Sequence, residues 1–166
     1  MYEADGVTVV SSWYGSTIPK CAIFESVFHD IRPSDRVPRV LPNEYVDRYL
    51  SPVLTLRDLT LVDLTSAGLH AIGLTRASLI ESRSRRYSWT NGIAERLRAA
   101  VPNADGCVWV SRAMDTAQCV VLYADRGRAP MIGRHPTEVA QSLGVGPGLL
   151  LLREHAVEAR ITLVVP

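Results

Sequence analysis

Apolar and polar positions alternate with changing period along the chain, and each change marks an element. Val7 to Val10 is a short β-branched run and reads as a strand. Trp13 and Tyr14 lead into a turn-like Gly15-Ser16-Thr17, where Ser16 or Thr17 can cap a helix with Pro19 in its first turn. Cys21, Phe24 and Phe28 form an apolar stripe at helical spacing, which predicts a helix to about His29, stopped by Arg32-Pro33. The proline-rich, charged stretch from Pro33 to Pro52 reads as an irregular connection. Leu54 to Leu64 alternates as one or two strands, with Leu59, Leu61 and Val62 as core candidates. Ser66 caps a short helix ending at Gly73.

The clearest helix places Ile93, Ala94, Leu97 and Val101 on one face, with Thr90 or Asn91 as cap and Pro102 as stop. Asn103 to Gly106 is a turn. Cys107 to Val110 is a strand that delivers Ser111 and Arg112 at its end, and Cys119 to Ala124 is a strand buried on both faces. A short helix is expected from Pro136 to Leu143, closed by Gly144, then strands at Leu149 to Leu152 and Ile161 to Val165. The sum is a single α+β domain over 1–166, a mixed sheet with flanking helices.

Composition narrows the function classes. Apolar residues make up 47% and charged residues 21%, values ordinary for a globular chain able to bury a core. A formal net charge of +1 supplies no field toward nucleic acid or a membrane, so direct binding to either is not expected. Lys20 is the only lysine, and arginine carries the remaining positive charge. Cys21, Cys107 and Cys119 are odd in number, irregular in spacing and set in apolar runs, so they read as small core residues. With no signal peptide and no apolar run near 20 residues, a cytoplasmic location is expected.

Few residues invite chemistry. Glu25 shares a helix face with Cys21, Phe24 and Phe28. It is either an edge residue bonding His29 at i+4 or a carboxylate facing a cleft. Ser111 follows a strand, where a serine is commonly a loop residue, and no nucleophile-elbow glycines surround it. The tract Gly144 to Gly148 lacks the lysine of a phosphate loop and reads as a turn. His29, His70, His135 and His155 show no metal spacing, so no metal is expected. Arg83, Arg85 and Arg86 form a solvated loop or, more sharply, a phosphate-binding cluster.

The stretch Val9 to Asp30 resembles the RES-domain family of bacterial toxins. Tyr14 is followed eleven residues later by Glu25, with Ala22 between them and Val27-Phe28-His29-Asp30 after. Tyr87 to Asp125 resembles the family's second half through Thr90, Asp105, Gly106, Trp109, Ser111, Leu122 and Tyr123. The resemblance covers about residues 7–126 and leaves 127–166 as a C-terminal extension. It implies a fold similar to ADP-ribosyltransferase toxins and cleavage of the nicotinamide–ribose bond of NAD. Water, phosphate or a protein would take the ribosyl group. It further implies catalytic roles for Glu25 and Ser111 and contact between Tyr14 and NAD. No cofactor is implied beyond NAD as substrate. The implied partner is a helix-turn-helix antitoxin of the Xre type.

The family's arginine belongs upstream of Tyr14, and none of the thirteen residues before Tyr14 is arginine. That leaves two expectations. One is an NAD-cleaving toxin; the other is a non-catalytic, N-terminally truncated member acting only as a binding partner. Tyr14, Glu25 and Ser111 are expected to line one cleft. Apolar surface left uncovered near Val7 to Tyr14 would favour homo-oligomers.

Overall fold

The computed structural model describes residues 10–31, 36–81, 87–126 and 130–165. In chain order the elements are β1 (Ser12–Ser16), α1 (Pro19–Phe24), β2 (Arg39–Val40), β3 (Tyr49–Leu50), β4 (Val53–Thr55), β5 (Leu61–Asp63), α2 (Ser66–Ala71), α3 (Arg76–Leu79), α4 (Tyr87–Ala100), β6 (Gly106–Val110), β7 (Gln118–Tyr123), β8 (Ile132–Arg134), β9 (Gln141–Ser142), α5 (Gly146–Glu158) and β10 (Thr162–Leu163). The class is α+β. Two compact units divide the chain: residues 1–17 with 55–132, and residues 18–54 with 133–166.

The first unit is built on a four-stranded mixed sheet in the order β1-β7-β6-β5. β1 and β6 each run antiparallel to β7, and β5 runs parallel to β6. The parallel pair needs a long crossover, which α2, α3 and α4 supply. Because side chains alternate, register puts Tyr14, Val121, Cys107 and Val62 on one face. The helices bring Leu69, Leu79 and Leu97 into the core that contains Val62, Cys107, Val121 and Tyr123. Gly106 is required where β6 meets β7, since a Cβ there would lie 1.8 Å from the Val121 carbonyl oxygen. Beside it, Asp105 takes both arms of the Arg57 guanidinium at 2.5 and 2.9 Å and the Thr60 amide at 2.9 Å. That ties the segment entering β5 to the start of β6. Arg98 and Arg126 stitch the end of α4 to the exit of β7 through Asp125 and the carbonyls of Arg98 and Pro102.

The second unit packs α1 and α5 around an apolar core of Ile23, Val27, Phe28, Val40, Tyr45, Leu143, Leu152 and Ala156. Short ladders pair β2 with β10 in parallel and β3 with β9 antiparallel. Tyr45 is buried, and its hydroxyl donates to the Val164 carbonyl at 2.9 Å. Lys20 meets Glu158 at 2.7 Å, and Glu158 also meets His155 Nδ1 at 3.1 Å.

Several sequence expectations are corrected. Gly15 and Ser16 belong to strand β1 and not to a turn: the Trp13 indole lies over Gly15, where any Cβ would collide with it. The N-cap of α1 is Ile18, without a side-chain bond. Thr17 instead accepts from the Gln118 amide through its hydroxyl, continuing the β1–β7 ladder. α1 ends at Phe24: beyond it the amides of Ser26, Val27 and Phe28 all converge on the Ile23 carbonyl, so the helical ladder stops advancing and the chain closes into turns. α4 covers Tyr87–Ala100, so Thr90 and Asn91 lie inside it.

Residues 136–140 have no regular element, and 141–142 form β9 where a helix was expected. Leu149 to Leu152 lies in α5, not in a strand. Gly148, Leu152, His155 and Ala156 are buried at helical spacing, after Gly146 at φ +64 and Pro147 in the first turn. The tract Gly144 to Gly148 therefore leads into a helix. Gly148 is needed there, because a Cβ would lie 2.3 Å from the Ser142 carbonyl oxygen. The expected strand at Val7 to Val10 and the cluster Arg83, Arg85 and Arg86 fall outside the described residues, apart from Val10, which is buried.

Candidate functional site

Tyr14 stands at the centre of β1, opposite Val121, and is 66% exposed. Its phenol pKa is raised, first by partial desolvation of the hydroxyl and then by the neighbouring Cys107 thiol. At neutral pH it is therefore a neutral ring that can stack or donate one hydrogen bond. Cys107 is buried and lies 3.1 Å from the Tyr123 hydroxyl. Burial pushes the Cys107 thiol up, partly offset by its bond to Tyr123, and pushes the Tyr123 phenol up as well. All three groups stay uncharged at neutral pH. All three cysteines are free and buried, as their apolar settings in sequence suggest.

Ser111 follows β6 in the same unit. It is fully buried, at 0% exposure. Its Oγ accepts from the amides of Ala113 at 3.0 Å and Met114 at 3.1 Å, and its own amide donates to the Ala117 carbonyl at 2.9 Å. The side chain thus organises the tight connection between β6 and β7.

Outside the loop, Arg76 donates from Nη2 to the Ser111 carbonyl at 2.6 Å and from Nη1 to the Val110 carbonyl at 3.0 Å. Its Nε donates to Glu81 at 2.9 Å. Sequence reading passed over Arg76. The only local signal is Thr75 with Ser78, whose reciprocal caps start α3. The two carbonyls that Arg76 holds lie more than thirty residues away, which no side-chain pattern reveals.

Glu25 lies in the second unit, at the C-cap of α1. Its side chain is 23% exposed, and Oε2 lies 3.8 Å from Nδ1 of His29. The i+4 neighbour expected from sequence is thus present, at ion-pair rather than hydrogen-bond distance. Tyr14, on β1, and Ser111, just after β6, belong to the first unit, and Glu25 belongs to the second.

Sequence reading also passed over a shallow apolar concavity of about 180 Å³ in the first unit, lined by Trp13, Leu122, Ala124, Met131 and Ile132. Trp13 and Leu122 pair across β1 and β7 on the sheet face opposite Tyr14. Among the described residues, no group of three or more His, Cys, Asp or Glu is placed to hold a metal. No helix among them is long and apolar enough to cross a membrane.

A family model described as the RES domain matches residues 8–141, a span that contains Tyr14, Glu25 and Ser111. No curated protein and no solved structure matches the chain.

Proposed function

The chain belongs to the RES-domain family, and on that premise we propose that it binds NAD and cleaves the bond between nicotinamide and ribose. The observation that carries the reading is the family match across residues 8–141, with Tyr14, Glu25 and Ser111 all inside it. The chemistry suits these residue types. Nicotinamide leaves with the bonding pair, and positive charge develops on the ribose as an oxocarbenium ion. A carboxylate nearby stabilises that ion, and one three-quarters shielded from water, as Glu25 is, acts through a lower dielectric. The anomeric carbon is then captured by water, phosphate or a protein nucleophile, and the incoming group loses its proton. Tyr14 offers an exposed neutral ring to stack on or hydrogen-bond the ribose and nicotinamide. Ser111 acts from inside the β6–β7 loop, whose geometry its hydroxyl fixes. Depletion of NAD makes this a toxin's activity, held in check by a helix-turn-helix antitoxin that covers the site.

The test is nicotinamide release from NAD, with and without phosphate, by the native chain and by Glu25→Gln. The variant keeps the size of the side chain and removes its charge. We expect a loss of at least 100-fold in kcat, about 2.7 kcal/mol of transition-state stabilisation, with an unchanged fold by circular dichroism. Full activity in Glu25→Gln would refute the assignment of Glu25.

One observation favours a second reading, a non-catalytic member that acts only by binding a partner. Ser111 is fully buried and its Oγ already accepts two amides, an arrangement sufficient for a purely structural serine. A native chain that releases no nicotinamide yet binds an antitoxin would establish that reading.

A further inference from the structure

We propose that Arg76 is a positioning residue for the Ser111 loop, a role that rests on the NAD-cleaving reading above. Four observations converge on it. The guanidinium grips two consecutive carbonyls, those of Val110 and Ser111, at the point where β6 ends and the loop begins. Glu81 aligns the fork through Nε, and the Glu81 amide itself returns to the Arg76 carbonyl at 3.0 Å, so the pair is closed on itself. The capping box of Thr75 and Ser78 fixes the backbone from which Arg76 projects. The Arg76 side chain is only 25% exposed, so its bonds are charge-assisted and partly shielded from water.

Downstream, the same peptide that Arg76 holds carries the Ser111 Oγ that accepts from Ala113 and Met114. The connection runs from α3 through Arg76 to the Ser111 peptide, and from its hydroxyl to the loop. Nη1, Nη2 and Nε are all committed to protein partners. Arg76 therefore acts through Ser111 and does not take the place of a phosphate-binding arginine. Its planar fork meets the two carbonyls from separate nitrogens in a fixed geometry and keeps Nε for Glu81, an arrangement the single ammonium of lysine does not reproduce.

Arg76→Lys and Arg76→Ala in the full chain test this through amide hydrogen exchange and nicotinamide release. Both variants are expected to speed exchange at Ala113 and Met114 by on the order of 10-fold, with amides in the centre of the β6–β7 ladder unchanged. Arg76→Lys should lower kcat by a similar factor and leave KM within about twofold, because the loop is loosened while the binding surface keeps its groups. Glu81→Gln should weaken the alignment and give a smaller change in the same direction. Unchanged exchange at Ala113 and Met114 in Arg76→Ala overturns the clamp. Faster exchange with native kcat overturns the positioning role. A native chain that releases no nicotinamide sinks the enzymatic reading instead, and the exchange measurement then decides the clamp by itself.

Discussion

The two units hold themselves together by different means. In the first, three polar points inside or along the core are held by directional bonds: Asp105 by Arg57 and Thr60, Ser111 by two amides, and the carbonyls at the end of β6 by Arg76. In the second, the core is a continuous cluster of aliphatic and aromatic side chains, and the Lys20–Glu158 ion pair stays near water while Glu158 also meets the buried His155. A polar clamp is directional and fixes a loop in one geometry, but it is costly to leave half-made. Apolar packing is worth more per residue and fixes position less sharply. The difference teaches where directional contacts are concentrated: both ends of β6, the entry at Asp105 and the loop at Ser111, are held by clamps.

Substitutions in each unit can break this contrast. The largest stability effect is expected from Leu152→Ala in α5. Leu152 is fully buried, and removing it leaves a cavity at a loss of about 2–5 kcal/mol in urea or thermal unfolding. A loss below about 1 kcal/mol would mean that the second unit does not depend on its apolar core.

Asp105→Asn should come next, at about 1–3 kcal/mol, since it removes the charge from the buried member of a bidentate pair and leaves the partly exposed Arg57 poorly matched. It also carries a pH signature. The Arg57 hydrogen bond, helped by the Thr60 amide, holds the Asp105 carboxyl below the usual carboxylate range. A depressed folded-state pKa adds stability above the unfolded value near 4 and loses it as pH falls through the folded value. Stability of the native chain should therefore drop on acidification below about pH 4, and Asp105→Asn should flatten that slope. Glu158 is also depressed, by Lys20 first and His155 second, but it is well exposed and should contribute less. An identical acid slope in native and Asp105→Asn chains would remove Asp105 from the account. The smallest effect is expected from Tyr45→Phe, about 1 kcal/mol, because it deletes one neutral hydrogen bond to Val164 and keeps the packed ring. A loss as large as that of Leu152→Ala would show that the second unit, too, depends on a polar tie.

Legibility in the sequence follows the range of the interaction. β5, β6 and β7 were readable because their apolar runs are short, β-branched and bounded by turn residues. α4 was readable in its body, through Ile93 and Leu97, but not at its start, because the expected caps Thr90 and Asn91 are interior positions. Of the candidate site, Tyr14, Glu25 and Ser111 were legible as a pattern resembling the family's, whereas Arg76 was not, since it bonds backbone carbonyls that any residue could present.

By itself, the sequence determined the α+β class, the strands that form the middle of the sheet, the burial of three free cysteines and the membership of a family. These follow from local period and from spacing between a few chemically distinctive residues. Tertiary structure alone decided that Leu149 to Leu152 is helical, that Gly15 sits in a strand beneath the Trp13 indole, and that Arg76 closes on the Ser111 peptide. A run of leucines satisfies either a helix or a strand, and a glycine either a turn or a close contact. In each case the choice was made by the neighbour that packs against it.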